Sequence, residues 1–341
     1  MNTQKFLMIN RCLLVFVFSA FQCFAQENVI EEKQIQFNSD NLNFSGTIFV
    51  PPGDSIFPAI VILHGGSSNV NAHRSTSSYY AYSFAKKGIA ALIFDKRGTG
   101  DSGGEFSKST FDDYINDALN AIKFLKTHDN INPQQIGIFG PSQGGRIAAL
   151  AAARSSDVAF IATISTPLVS VADLCYFSSM GFLKRMGITD SVKAIVDPLW
   201  KKHYASVEKG DFQGLVELDI EIEKFYENVD TLFLPLKSNK LDHLNDFRLG
   251  DFQPMYNSME KDYITELSKV NVPWISIYAE FDEAVPVESS IKIMKVQMVK
   301  GGNKDYEIQI IPNVGHGFRN VDTNKYLRVE DIAIDWILNT L

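Results

Sequence analysis

Apolar and polar positions follow two successive rhythms along the chain. Residues 31–38 and 42–50 alternate apolar with polar side chains, the pattern of half-buried antiparallel strands, and Ser39-Asp40-Asn41 between them is turn chemistry. The alternation then stops. Residues 59–63, 89–94, 136–139, 158–164 and 272–278 are short, largely apolar runs, as expected of strands covered on both faces, and 306–311 reads as the last strand. Helical spacing falls between and after them, at 79–87, 111–125, 146–153, 288–299 and 326–341. The clearest is 111–125, which sets Phe111, Tyr114, Ile115, Ala118, Ile122 and Leu125 on one face, with Ser109-Thr110-Phe111-Asp112 as its capping box. Strands alternating with helices predict an α/β protein, its mostly parallel sheet flanked by helices and the two antiparallel strands at the leading edge.

One interval breaks this rhythm. Residues 167–269 separate two strands that elsewhere are joined by far shorter connections, and a structureless loop of that length is rare inside a compact domain. The interval carries Phe177, Met180, Phe182, Leu183, Met186, Trp200, Phe225, Tyr226, Leu232 and Phe233, with Thr189-Asp190-Ser191 as a helix start. It reads as a mainly helical cap inserted into a core formed by residues 26–166 and 270–341.

The amino terminus is a separate matter. Lys5 and Arg11 precede an apolar run from Cys12 to Phe21, and Cys23-Phe24-Ala25 offers a small-residue cleavage site, so residues 1–25 read as a secretory signal peptide. The run is about half the length of a membrane span. Cys23 raises the alternative of a lipoprotein, against which the bulky Phe21 and polar Gln22 speak. Export places the mature chain in the periplasm or outside the cell. Removing residues 1–25 takes the formal charge from −8 to −10, a poor balance for binding nucleic acid, and leaves Cys175 as the single cysteine, so no intrachain disulfide forms.

The chemistry gathers around Gly140-Pro141-Ser142-Gln143-Gly144, a serine between glycines at the junction of a strand and a helix. A strand turning this sharply strains the middle residue and leaves no room for bulky flanking side chains, which is the signature of a nucleophile elbow. A serine hydroxyl needs a base oriented by a carboxylate. His316 lies on a glycine-flanked loop after the last strand, and Asp282 follows the penultimate strand at a distance that lets a short side chain turn back, whereas Glu280 is closer to the strand. His128, His203 and His243 sit in helical or cap surroundings and read as surface residues, while His73 lies in a polar loop. For the oxyanion, the N–H of Gln143 is one donor, and the loop His64-Gly65-Gly66-Ser67 supplies the other, Gly66 first and Ser67 next, with His64 as a brace.

Taken with Asp95-Lys96-Arg97-Gly98-Thr99-Gly100-Asp101-Ser102-Gly103-Gly104, these motifs resemble those of an α/β-hydrolase over nearly the whole mature chain. The Asp-Lys-Arg-Gly run and the cap are similar to bacterial carboxylesterases grouped with the serine aminopeptidase-like hydrolases. The resemblance implies Ser142 as nucleophile, His316 as base, Asp282 as orienting acid and a small-molecule ester as substrate. The chain departs from it at Ala279, often glycine, and at Pro141 before the serine. Two other readings stand beside it. Glu217, Asp219, Glu221, Glu223 and Glu227 in the cap could hold the ammonium of a peptide, as an aminopeptidase requires, or form a solvated helix surface; a non-catalytic binding module is the second. Residues 98–103 match a dinucleotide fingerprint in letters only, since a second turn intervenes before the helix, and no zinc-type spacing of His or Cys occurs, so neither cofactor nor metal is expected.

Overall fold

The computed structural model describes residues 29–185, 190–211 and 253–341. The expected signal peptide, His243 and the acidic run of Glu217, Asp219, Glu221, Glu223 and Glu227 lie outside the described residues, as do Met186, Thr189, Phe225, Tyr226, Leu232 and Phe233 of the interval read as a cap.

Strands β1 (Glu31–Ser39) and β2 (Leu42–Val50) form a hairpin whose turn residues Asp40 and Asn41 take φ of 48° and 65°, the left-handed pair that matches the twist of the flanking strands. Next come β3 (Phe57–Ile62), α1 (Val70–Ala85), β4 (Ala90–Phe94), α2 (Phe111–Leu125), β5 (Ile131–Pro141), α3 (Gln143–Arg154) and β6 (Ile161–Ile164). Helices α4 (Val171–Arg185), α5 (Asp190–Glu208) and the single turn α6 (Gln253–Tyr256) occupy the described part of the long interval. The core resumes with β7 (Trp274–Ala279), α7 (Val287–Gly301), β8 (Tyr306–Ile311) and α8 (Val329–Thr340). The sheet has eight strands in the order β1-β2-β4-β3-β5-β6-β7-β8, antiparallel from β1 to β4 and parallel from there to β8.

The continuous apolar runs are explained by two separate cores. On β3 and just after it, Ala59, Val61 and Leu63 share a core with the helices α2, α3 and α7, while Ile60 and Ile62 share the other with α1 and α8. On β3 and β4 each strand residue is therefore apolar whichever way it points.

Several local expectations shift, among them the start of β5, at Ile131 rather than 136. Helix α1 begins nine residues before the predicted 79–87 segment: its first half is polar and carries no apolar repeat, and Asn69 caps it by accepting from Ala72 N at 3.1 Å. The capping box of α2 sits one residue later than expected, with Thr110 as cap and Asp113 returning to Thr110 N at 2.8 Å. Asp112 instead accepts from Lys261 and Arg154. Strand β6 starts at Ile161, three residues inside the expected run.

Candidate active site

Ser142 caps α3 with φ 51° and ψ −119°, so the strained residue of the elbow is the serine itself. Its amide donates to Ile164 O on β6 at 2.8 Å, and its carbonyl accepts from Gly145 N at 3.0 Å, which fixes the turn from both sides. The glycines earn their places by proximity. A Cβ on Gly140 would stand 2.3 Å from Gly144 O, and one on Gly144 would stand 3.0 Å from His64 O. Gly145 is as tight, with Thr166 Oγ1 only 2.0 Å from a Cβ there. At Gly65 the nearest atom to such a Cβ is Ser142 Cβ at 3.7 Å, an ordinary contact, so Gly65 marks how near the loop after β3 comes to the serine.

Asp282 and His316 meet where the loops after β7 and β8 are stitched together. Glu280 N donates to Ile311 O at 3.0 Å and Phe281 N to Val314 O at 2.9 Å. Glu280 itself, the acid passed over, accepts from Asn313 N at 2.8 Å and so braces the histidine loop. The Asp282 side chain is fully shielded, and its Oδ1 accepts from Ala284 N and Val285 N at 2.9 and 2.8 Å. His316 Nδ1 stands 2.9 and 2.8 Å from its two oxygens, with the imidazole about one-third exposed. Ser165, which follows β6, donates from Oγ to His316 O at 3.4 Å, so the elbow and the histidine loop flank the same strand end. Among the described residues, no hydrogen bond joins Ser142 Oγ to the imidazole; such contacts often tighten only when substrate binds.

In the loop after β3 the left-handed residue is Ser67, with φ 115°. His64 does brace it: Nε2 pairs with Phe94 O at 3.2 Å and the ring stacks on His73 at 4.5 Å, while His73, in the first turn of α1, pairs with Ser67 O at 3.0 Å. Burial first, then the charges of Lys96 and His73, hold the His64 imidazole well below its ordinary range. A recess of about 200 Å³ is lined by His64, His73, Arg74, Asp95 and Asp101, and none of Ser142, Asp282 or His316 reaches it. His203, expected at the surface, is buried beside Trp200 and Tyr204.

The glycine-rich run folds as a tight loop with Gly98 N on Gly103 O at 2.9 Å, packed on β2 through Gly103 N to Asn43 O at 2.9 Å. It reaches the elbow through Lys96, whose Nζ donates to Gln143 Oε1 at 3.1 Å. The signal for Lys96 in the sequence is a charged triplet, Asp95-Lys96-Arg97, directly after a wholly buried strand. Arg97 turns the other way, onto buried Asp117 at 2.6 and 3.0 Å.

An eight-stranded, mostly parallel sheet with helices on both faces and a serine elbow after β5 defines an α/β-hydrolase. The chain belongs to the serine aminopeptidase S33 family, Hydrolase_4, whose model matches residues 55–320. That family is one of α/β-hydrolases. Esterase EstD of Thermotoga maritima is 27% identical over 188 residues, 53% of this chain and 43% of its own length, so the chain spans less than half of that relative. An uncharacterized 31.7 kDa protein from the traX-finO intergenic region of Escherichia coli is 25% identical over 265 residues, covering 76% of this chain and 85% of that one. Among solved structures, the Pyrococcus furiosus esterase Pf2001 superposes with TM-score 0.57 at 16% identity over 91% of both chains. The hypothetical protein PA2218 of Pseudomonas aeruginosa does so with TM-score 0.59 at 18% identity, over 93% of this chain and 96% of that one. At such identities these two likenesses speak for the fold.

Proposed function

We propose that this protein is an exported carboxylesterase that works through Ser142, His316 and Asp282 and an acyl-enzyme. The observation that carries this reading is the shielded Asp282 carboxylate gripping His316 Nδ1 at 2.8 and 2.9 Å, which leaves Nε2 as the free basic nitrogen of the ring. In the first half-reaction Nε2 takes the Ser142 hydroxyl proton as Oγ bonds to the ester carbonyl carbon. Asp282 stabilises the imidazolium that forms. The carbonyl oxygen becomes an oxyanion, received by the N–H groups of Gly66 and Gln143, and its collapse expels the alcohol, which takes the proton from His316. Water then enters by the same route, losing its proton to His316, and the acid leaves as Ser142 is restored.

In the proposed reading, the interval 167–269 serves as a cap over Ser142. It is supported by α4, which is tied to the acid loop by Ser178 Oγ donating to Ala284 O at 2.6 Å. Esterase EstD and the family description favour ester and aminoacyl substrates respectively, so both are assayed together. Wild-type protein is expected to hydrolyse short-chain 4-nitrophenyl esters faster than aminoacyl 4-nitroanilides and to be labelled by a fluorophosphonate, and Ser142→Ala to lose both. Faster amide turnover makes it an aminopeptidase, and an unlabelled wild type makes it a binding module. For export, amino-terminal sequencing of the protein recovered from the producing cells is expected to begin at Gln26; an intact Met1 in the cytosol overturns that part.

A further inference from the structure

Lys96 is a buried cation directed at the two backbone segments that the esterase reading assigns to the oxyanion. Its residue is 5% exposed, and its ammonium is flanked by the rings of Phe106 and Tyr114 at 5.8 and 5.2 Å. Nζ donates to Gly65 O at 2.7 Å and to Gln143 Oε1 at 3.1 Å, with Ser67 O further away at 3.5 Å. Gly65 O and Gly66 N–H belong to the same peptide group. The chain has no cis peptide bond among the described residues, and in a trans peptide the carbonyl and the N–H point in opposite directions. A cation held on the carbonyl side therefore fixes the rotation of that peptide and aims the Gly66 N–H the other way. It also draws electron density toward the carbonyl oxygen, which makes the N–H a stronger donor. The grip on the Gln143 side chain does the same positional work for the first residue of α3, whose own N–H is the second donor.

We propose that Lys96 is the positioning residue of the oxyanion site: one ammonium sets the Gly65–Gly66 peptide and Gln143 in register with each other and adds positive potential behind the developing negative charge. The proposal rests on the esterase reading of Ser142. A residue that merely filled space would affect stability and leave the balance between ground state and transition state alone. Lys96 acts on that balance, because its influence grows as the carbonyl oxygen takes up charge.

The test compares wild type with Lys96→Met, which keeps the length of the stem and removes charge and donors. A trifluoromethyl ketone is the probe of the charged state: Ser142 Oγ bonds to its carbonyl carbon, the hydroxyl proton passes to His316, and the carbonyl oxygen becomes the oxyanion. Losing a direct oxyanion donor costs about 10²–10³ in kcat, so an indirect support is expected to cost roughly 10–100-fold, with KM within about threefold. Affinity for the trifluoromethyl ketone should fall by the same factor, and affinity for the unfluorinated ketone should stay. Gln143→Met, which removes one acceptor of Lys96 and leaves every backbone N–H, serves as a second variant if Lys96→Met does not fold, and should lower kcat about tenfold. Wild-type kcat and ketone affinity in a folded Lys96→Met, or in Gln143→Met when that variant stands in, overturn the assignment of Lys96 alone. A wild type that neither cleaves esters nor binds the trifluoromethyl ketone overturns the esterase reading and this proposal with it.

Discussion

His316 Nδ1 lies within 2.9 Å of both carboxylate oxygens of Asp282, and the Asp282 side chain has no exposed surface. A buried acceptor of this kind fixes the ring's tautomer, because a proton on Nδ1 is the one that satisfies it. In Asp282→Asn the amide can present a donor to Nδ1, which moves the imidazole proton to Nε2 and removes the base. Ester hydrolysis by this variant is expected to fall by roughly 10³–10⁴ in kcat with an unchanged circular dichroism spectrum. Activity within tenfold of wild type would show that the pair does not serve the reaction.

The elbow makes a steric prediction that needs no assay. Gly140→Ala brings a methyl group to 2.3 Å from Gly144 O, a backbone atom with nothing flexible to yield. Overpacking of this kind costs about 1–3 kcal/mol and sometimes more. Gly65→Ala meets only ordinary contacts beginning at 3.7 Å. Urea denaturation is expected to rank the two variants in that order, and equal midpoints would contradict the packing described for the elbow.

Acid should loosen the loop after β3. Burial, then Lys96 and His73, lowers the pKa of His64 in the folded protein, so below the unfolded value of about 6.5 the unfolded chain binds more protons. The stability is complete above that pH and is lost as pH falls toward the folded value. His128, whose pKa is also lowered, chiefly by burial, adds in the same direction. The urea midpoint is expected to drop between pH 7.5 and 5, and to drop less in His64→Gln; an equal drop in both would assign the effect elsewhere.

Cys175 offers a readout of packing and of processing together. It is buried in α4, and burial pushes its thiol up to about 12, so at pH 8 it carries almost no thiolate. Iodoacetamide is expected to leave the native protein unmodified and to alkylate it in urea, with one thiol if residues 1–25 have been removed and three if they have not. Rapid native labelling of Cys175 would mean that this face of α4 is not buried.

Much of this molecule was legible in its sequence, for a physical reason that differs from element to element. Strands β3, β4 and β7 announce themselves because a strand between two helical layers is apolar on both faces, and the turn at Asp40-Asn41 because few residues accept left-handed backbone. Ser142 was readable because its elbow requires glycine on both sides. Helix α1 was half hidden, since its first turns face polar surroundings and no periodic apolar face marks them.

The sequence by itself determined which groups are the candidates for chemistry and at which strand ends they stand. Chain order and turn composition select Ser142, Asp282 and His316 because each must follow a strand of one parallel sheet. Only the tertiary structure decided how they are held: Asp282 shielded beneath His316, Glu280 diverted to Asn313, the strain placed on Ser67 rather than on a glycine, and Lys96 joining Gly65 to Gln143. Those contacts cross 31 to 47 positions of chain, and no local pattern encodes a partner that far away.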